Sequence, residues 1–299
     1  MQTARFYKQS AGSRAFDLFN TVFLLFLCFI MLYPMYYMVI VSISNGYHVM
    51  RNEVYWYPMG VNFDVYKSIF NYRMFMRSYG NTILYTVVGT LVNLAVTILC
   101  AYPLSRRELY GRGLITRLIT ATMFFGGGLI PTFLLVTSLG LRDSMWALIL
   151  PGAISTYNMI VMRTTFMNLP SELHESAYLD GANDWTILLR IILPLSGAML
   201  ATITLFYAVG HWNSFFSALI YLDSREKYPL QLLLRNIVIQ GADTELLNYA
   251  GAAADSASMA VTQNYKYAAI VVAVAPILCV YPFIQKYFVK GVLIGSLKG

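Results

Sequence analysis

No charged side chain occurs between Tyr79 and Leu104, a stretch that contains TILYTVVGTLVNLAVTILCAYPL. A membrane-crossing helix needs about 20 mostly apolar residues, and this run is long enough. In lipid every backbone polar group must be satisfied within the structure itself, so the run must be helical. Five other stretches read the same way, at about Asp17–Ile43, Leu114–Leu139, Met145–Phe166, Gly197–Leu222 and Tyr267–Val289. Six spans predict an all-α, polytopic membrane protein with both termini on one side of the bilayer. Gly126–Gly128 and Pro131 fall inside the third span and are read as a hinge or a close-packing point.

Composition excludes the soluble alternative. The 299 residues are 58% hydrophobic and only 12% charged, where a soluble domain carries about a quarter charged residues. The N-terminal apolar run is longer than the roughly 7–15 residues of a signal-peptide core and lacks a small-residue cleavage site, so it is read as a retained span. No repeat or low-complexity stretch stands out, and the chain is read as a single transmembrane domain over residues 1–299.

The net charge of +7 fits Lys and Arg held in cytoplasmic loops. No basic run interleaved with aromatics is present, which sets nucleic acid aside. Arg106, Arg107 and Arg112 lie between spans two and three, Arg5, Lys8 and Arg14 in the N-terminal tail, and Lys286, Lys290 and Lys298 in the C-terminal tail. Both termini are therefore expected to be cytoplasmic. Cys28, Cys100 and Cys279 each sit in an apolar stretch and read as small packing residues, with no disulfide or metal role.

Between spans four and five lies a segment too polar to span, NLPSELHESAYLDGANDWTILLRIILP, at 168–194. Ser171 is placed to cap a helix, and Glu172 and Glu175 fall in its first turn, where the helix dipole favours anions. Gly181 allows a sharp turn that a Cβ would hinder. Asn183 or Asp184 can then cap a second helix, which ends near Pro194. An amphipathic helix resting on the membrane is the alternative. Glu172, Glu175, Asp180 and Asp184 argue against it, because anionic lipid does not attract acids. A cytoplasmic hairpin that docks a soluble partner fits better.

The stretch ESAYLDGANDWTILLRIILP resembles the EAA motif of bacterial ABC importer permeases. Glu175, Ala177, Asp180, Gly181, Ala182, Ile191, Leu193 and Pro194 match in register, with Ser176 at a usual Ala and Leu188 at a frequent Phe. WNSFFSALIYL (Trp212–Leu222) and QKYFVKGVLIGSLKG (Gln285–Gly299) resemble the carbohydrate-uptake, maltose MalG-type class. YPLQLLLRNIV (Tyr228–Val238) is similar to the polysaccharide or lipoprotein-linked permeases of Gram-positive bacteria.

The resemblance implies a type I importer permease fold in a bacterial plasma membrane. It implies a hairpin that couples closure of a cytoplasmic ATPase dimer to rigid-body alternation of the spans. Glu172, Glu175, Ala177, Asp180, Gly181 and Ala182 would be its docking and turn residues, and Gly295–Gly299 a further contact. The implied partners are a second permease in a heterodimer, an extracytoplasmic solute-binding protein and lipid. The implied cargo is an oligosaccharide or glycan breakdown product.

The chain has no P-loop, because no Gly-Lys pair occurs in it. ATP and Mg would belong to the partner ATPase, with no cofactor on this chain. His174-Glu175 begins like a zinc-protease H-E-x-x-H, but Tyr178 stands at the second ligand position, and no G-x-S-x-G occurs. No catalytic or metal residue is assigned. His211, Trp212 and Asn213 fall in the fifth span, where polar groups invite a substrate-pathway role or, instead, hydrogen bonds between helices. A secondary transporter or a membrane-embedded enzyme is the competing reading. The first would show buried ionisable groups, and the second convergent carboxylates or metal ligands.

Overall fold

The computed structural model describes residues 11–240, 264–280 and Pro282. The last part of the sixth span, the C-terminal tail including Gly295–Gly299, and Arg5 and Lys8 lie outside the described residues. The chain divides into two compact units, Met1–Ile69 with Ala242–Val271 and Phe70–Gly241 with Val272–Gly299. No strand occurs among the described residues.

In the first unit, α1 (Ala11–Ser42) is one unbroken apolar helix with Pro34 inside it. At about 1.5 Å per residue it is longer than a bilayer core is thick. Large apolar side chains from Phe16 to Val39 are exposed along it, which suits a lipid-facing span and no water-facing one. The following loop folds back onto α1. The Tyr36 hydroxyl donates to the carbonyl of Trp56, and the Trp56 ring stacks on Phe29 at 6.2 Å.

The second unit is built on α2 (Arg73–Ser105). From Ser78 to Thr97 its interior face is mostly polar or small, with Ser78, Thr82, Gly89, Thr90, Asn93 and Thr97 buried beside Tyr85, while Ile83, Leu84, Val87, Leu91 and Leu99 on other faces are exposed. This inverts the soluble pattern, as expected where lipid is as apolar as leucine and helices associate through small and polar residues.

The third expected span is not one helix. It comprises α3 (Arg112–Ala121) and α4 (Leu129–Ser138) with non-helical chain between. Nothing lies within 4 Å of a Cβ built on Gly126 or Gly127, and Gly128 has φ +84°. The glycines therefore break the helix, and no residue of this chain packs closely on Gly126 or Gly127.

The fourth span bends by 54° between α5 (Met145–Gly152) and α6 (Thr156–Met167). After it come the hairpin helices α7 (Glu172–Leu179) and α8 (Asp184–Leu195). The second hairpin helix runs past Pro194, because a π-helical turn at Leu188–Ile192 widens the backbone just before the proline ring. An 85° corner at Ser196 leads into α9 (Gly197–Trp212). The fifth span is also shorter than expected as a helix, since α9 stops at Trp212 and a separate α10 (Phe216–Tyr221) follows. α11 (Leu230–Gln240) closes the described part before the helix Asn264–Val280.

α2 packs on α9 and α6. Ala101, Tyr102, Met159, Met162, Ile187 and Ile203 form the centre of this unit's core, and the hairpin shares it through Ala177 and Leu188.

Candidate functional site

The hairpin turn is set by local chemistry. Asp180 ends α7, and Gly181 follows with φ +78°. The Gly181 N–H donates to the Tyr178 carbonyl at 3.0 Å and the Ala182 N–H to the Ala177 carbonyl at 2.9 Å. These paired bonds are a Schellman closure, in which the residue after the cap must be left-handed and Gly is the residue that adopts this without strain. Its accompanying contact is present too, because Ala177 is buried and Ala182 packs against the same core.

Asn183 caps α8, its side chain accepting the Thr186 N–H at 2.8 Å. The Tyr178 hydroxyl donates to Asp184 across the turn, and that bond raises the Tyr178 pKa. Ser171 departs from expectation. Its φ/ψ of −66°/−27° are already helical and its side chain makes no capping bond, since a capping serine must sit in the extended region for its oxygen to reach back.

The structure sorts the candidate residues into two groups. Glu172, Glu175, Asp180 and Gly181 are exposed, whereas Ala177 is buried and Ala182 half-buried. Two apolar side chains stand out among the acids: Leu179 is 90% exposed and Trp185 61%. They were not among the sequence candidates. The available signal was a large apolar residue on each side of an acidic turn.

Behind the hairpin is a cavity of about 1040 Å³ lined by Arg106, Arg107, Glu108, His174, Glu175 and Trp185 among others. Its wall includes a stack of the His174 and Tyr102 rings, with centroids 6.2 Å apart. Burial, aided by the nearby Arg106 charge, lowers the His174 pKa.

His211, Trp212 and Asn213 do not converge. His211 Nε2 donates to Asn93 Oδ1 at 3.1 Å, since an amide oxygen can only accept. The Trp212 indole donates to the Ala273 carbonyl at 3.3 Å and meets the Tyr79 ring edge-on. The Asn213 side chain bonds back to the Val209 carbonyl at 3.0 Å, within its own helix. Each is thus engaged between or within helices. Among the described residues, no group of three or more His, Cys, Asp or Glu side chains could hold a metal ion.

On another face of this unit, Asp143 organises a loop clamp. Its carboxylate accepts from Lys227 Nζ at 2.6 Å, from the Ser224 hydroxyl at 2.7 Å and from the Ser224 and Asp223 amides. Lys227 first, then Ser224, hold its pKa well below the usual carboxylate range.

Residues 3–294 match the protein family described as binding-protein-dependent transport system inner membrane component. The chain is 44% identical to Protein LplC of Bacillus subtilis, covering 96% of each. It is also 44% identical to the polygalacturonan/rhamnogalacturonan transport system permease protein YtcP of Bacillus subtilis, covering 96% of this chain and 99% of that one. A crystal structure of a bacterial ABC transporter involved in import of the acidic polysaccharide alginate contains a chain that superposes with a TM-score of 0.88. That chain is 36% identical, and the match covers 95% of this chain and 100% of that one.

Proposed function

The chain belongs to the binding-protein-dependent inner membrane transport family and is a translocation subunit of an ABC importer, not an enzyme; from this premise we propose that the 168–194 hairpin docks a cytoplasmic ATPase and that the cargo is an oligosaccharide. The observation that supports docking is the hairpin tip, where Glu175, Asp180, Leu179 and Trp185 are exposed around a closed Schellman turn. Acids beside bare apolar side chains suit a protein partner, whose basic groups meet the carboxylates while its apolar surface covers Leu179. Glu172, Glu175 and Asp180 are the contact residues, Gly181 forms the turn, and Ala177 and Ala182 seat the hairpin on the core. ATP and Mg bind the ATPase subunits.

The membrane partner is a second, different permease, and a solute-binding protein delivers the cargo from outside. Both termini of this chain lie in the cytoplasm. The names of two similar proteins, one for polygalacturonan and rhamnogalacturonan and one for alginate, support acidic glycan fragments as the cargo class. His211, Trp212 and Asn213 remain candidate pathway residues, with His211 Nε2, the Trp212 indole and the Asn213 amide nitrogen already in bonds between or within helices.

The test is a mild-detergent pull-down of the tagged chain from native membranes, read by mass spectrometry. Recovery of a second multi-span permease and a soluble P-loop ATPase supports the assembly. The co-purifying binding protein is then screened by thermal shift against uronate-containing and neutral oligosaccharides. Recovery of the chain alone, with other membrane complexes intact, overturns the assembly.

A further inference from the structure

Where α5 meets α6 the helix is broken, and a break at membrane depth leaves backbone groups without intrahelical partners. Two are satisfied from distant helices. The Gly152 carbonyl, at the end of α5, accepts the Asn93 side-chain amide of α2 at 2.8 Å. The Ser155 N–H, at the cap of α6, donates to the Tyr207 hydroxyl of α9 at 3.1 Å.

Both side chains are themselves held. Asn93 Oδ1 receives His211 Nε2 from α9. With its oxygen accepting from Ser155, the Tyr207 hydroxyl has its proton available for Thr97 Oγ1 of α2, 2.7 Å away. Asn93 and Tyr207 are buried at 2% and 7% exposure. Neither residue belongs to the hairpin.

We propose that Asn93 and Tyr207 are positioning residues that fix the elbow between α5 and α6, so that α6 transmits hairpin movement to α5 as a rigid bent lever. α6 is joined to the hairpin by the short 168–171 connection. Without these two bonds the elbow has free backbone groups that stabilise no single angle. A hairpin displacement would then flex the joint in place of moving α5.

The first test reads geometry alone and does not depend on the ATPase docking reading. Cys28, Cys100 and Cys279 are replaced by Ser, and spin labels are placed at Trp146→Cys on α5 and Thr164→Cys on α6, both exposed positions. The labels are roughly 25 Å apart at 1.5 Å per residue less the bend. In lipid nanodiscs, Tyr207→Phe and Asn93→Leu should each broaden the distance distribution at least twofold. Tyr207→Phe keeps the ring and its packing, so it reports even where Asn93→Leu fails to fold. An unchanged width in a folded variant overturns the clamp.

In the assembled importer, Tyr207→Phe should retain basal ATP hydrolysis and lose most of its stimulation by the loaded binding protein. A merely structural role would lower Tm and leave stimulation intact, and that outcome would overturn the positioning role.

Discussion

Gly89 is packed against His211 so closely that a single methyl group should report on the contact. A Cβ built at Gly89 would lie 2.5 Å from His211 Nε2, 2.6 Å from Cε1 and 2.9 Å from Cδ2. No rotation of an alanine methyl relieves this, so the imidazole must swing away and give up Asn93. Overpacking of this kind costs about 1–3 kcal/mol. The lost interhelical hydrogen bond adds about 0.6 kcal/mol, the average found in membrane helices. Against this, Gly→Ala inside a helix gains roughly 0.5–1 kcal/mol. Gly89→Ala should therefore destabilise the protein by about 1–3 kcal/mol.

With His211→Ala already present the clash is absent, and Gly89→Ala should be neutral or stabilising by up to about 1 kcal/mol. The double-mutant cycle then gives a coupling of about 2 kcal/mol, well outside the additivity of independent sites. Reversible unfolding in mixed micelles measures it. Gly80→Ala, on the same helix with nothing within 4 Å, is the control and should not couple to His211. Equal effects of Gly89→Ala in both backgrounds would refute the packing argument.

Other outcomes follow from the same reasoning. Gly181→Val meets open space but must hold φ +78°, a strain of roughly 1–2 kcal/mol; the chain should insert normally, while transport per ATP falls in a reconstituted importer, and Gly181→Asn should retain most of it. The His174 pKa is lowered, first by burial and then by Arg106, with Glu108 and Asp184 opposing, so the unfolded state binds more protons below its ordinary pKa of about 6.5 and hairpin stability should drop as pH falls from 7 to 5. His174→Phe should remove that dependence in hydrogen exchange of the 172–187 segment. The Asp143 pKa is also lowered, by Lys227 first and then Ser224, but its window is lower: the loop clamp is at full strength above about pH 4 and is lost only on further acidification. Asp143→Ala should accordingly speed tryptic cleavage after Arg225 and Lys227 at pH 7.5, and cleavage in right-side-out vesicles would place that loop outside.

The parts of this fold that are legible in the sequence depend on neighbours along the chain. α1 and α2 follow from uninterrupted apolar runs, and the hairpin turn follows from Gly181 with Asn183 two residues on, because a Schellman closure and a cap are both local bonds. The breaks are local only in part. Pro151 and Gly152 mark the break before residues 153–155, but its bend is also supported by Asn93 and Tyr207, more than 50 residues away in each direction. Asn93 was the missed signal, an amide in the middle of an otherwise apolar run, which at membrane depth marks a partner. The triple glycine at 126–128 did mark its break, where Gly128 takes φ +84°, but hydropathy cannot separate a conformational role from packing. Ser171 misled because a capping residue type says nothing of its own φ/ψ, which here are already helical.

The two corners that flank the hairpin differ in what supports them. The 85° corner at Ser196 is closed by its own chain, with the Ser196 N–H shared between the Ile192 carbonyl at 3.0 Å and the Leu193 carbonyl at 3.1 Å. A bend held by adjacent backbone travels with its helices and constrains no third element. The 54° elbow is held by α2 and α9, so displacing α6 strains bonds to both. A push on the hairpin therefore meets a corner closed by its own backbone on one side, and a joint braced by hydrogen bonds from two other helices on the other. Because α9 also supplies Tyr207 and His211 to the brace, α6 and α9 are obliged to move together, with α2 as the surface they share. Rigid-body motion of this helix set is then a consequence of where the polar atoms lie, and loosening the brace should cost coupling well before it costs the fold.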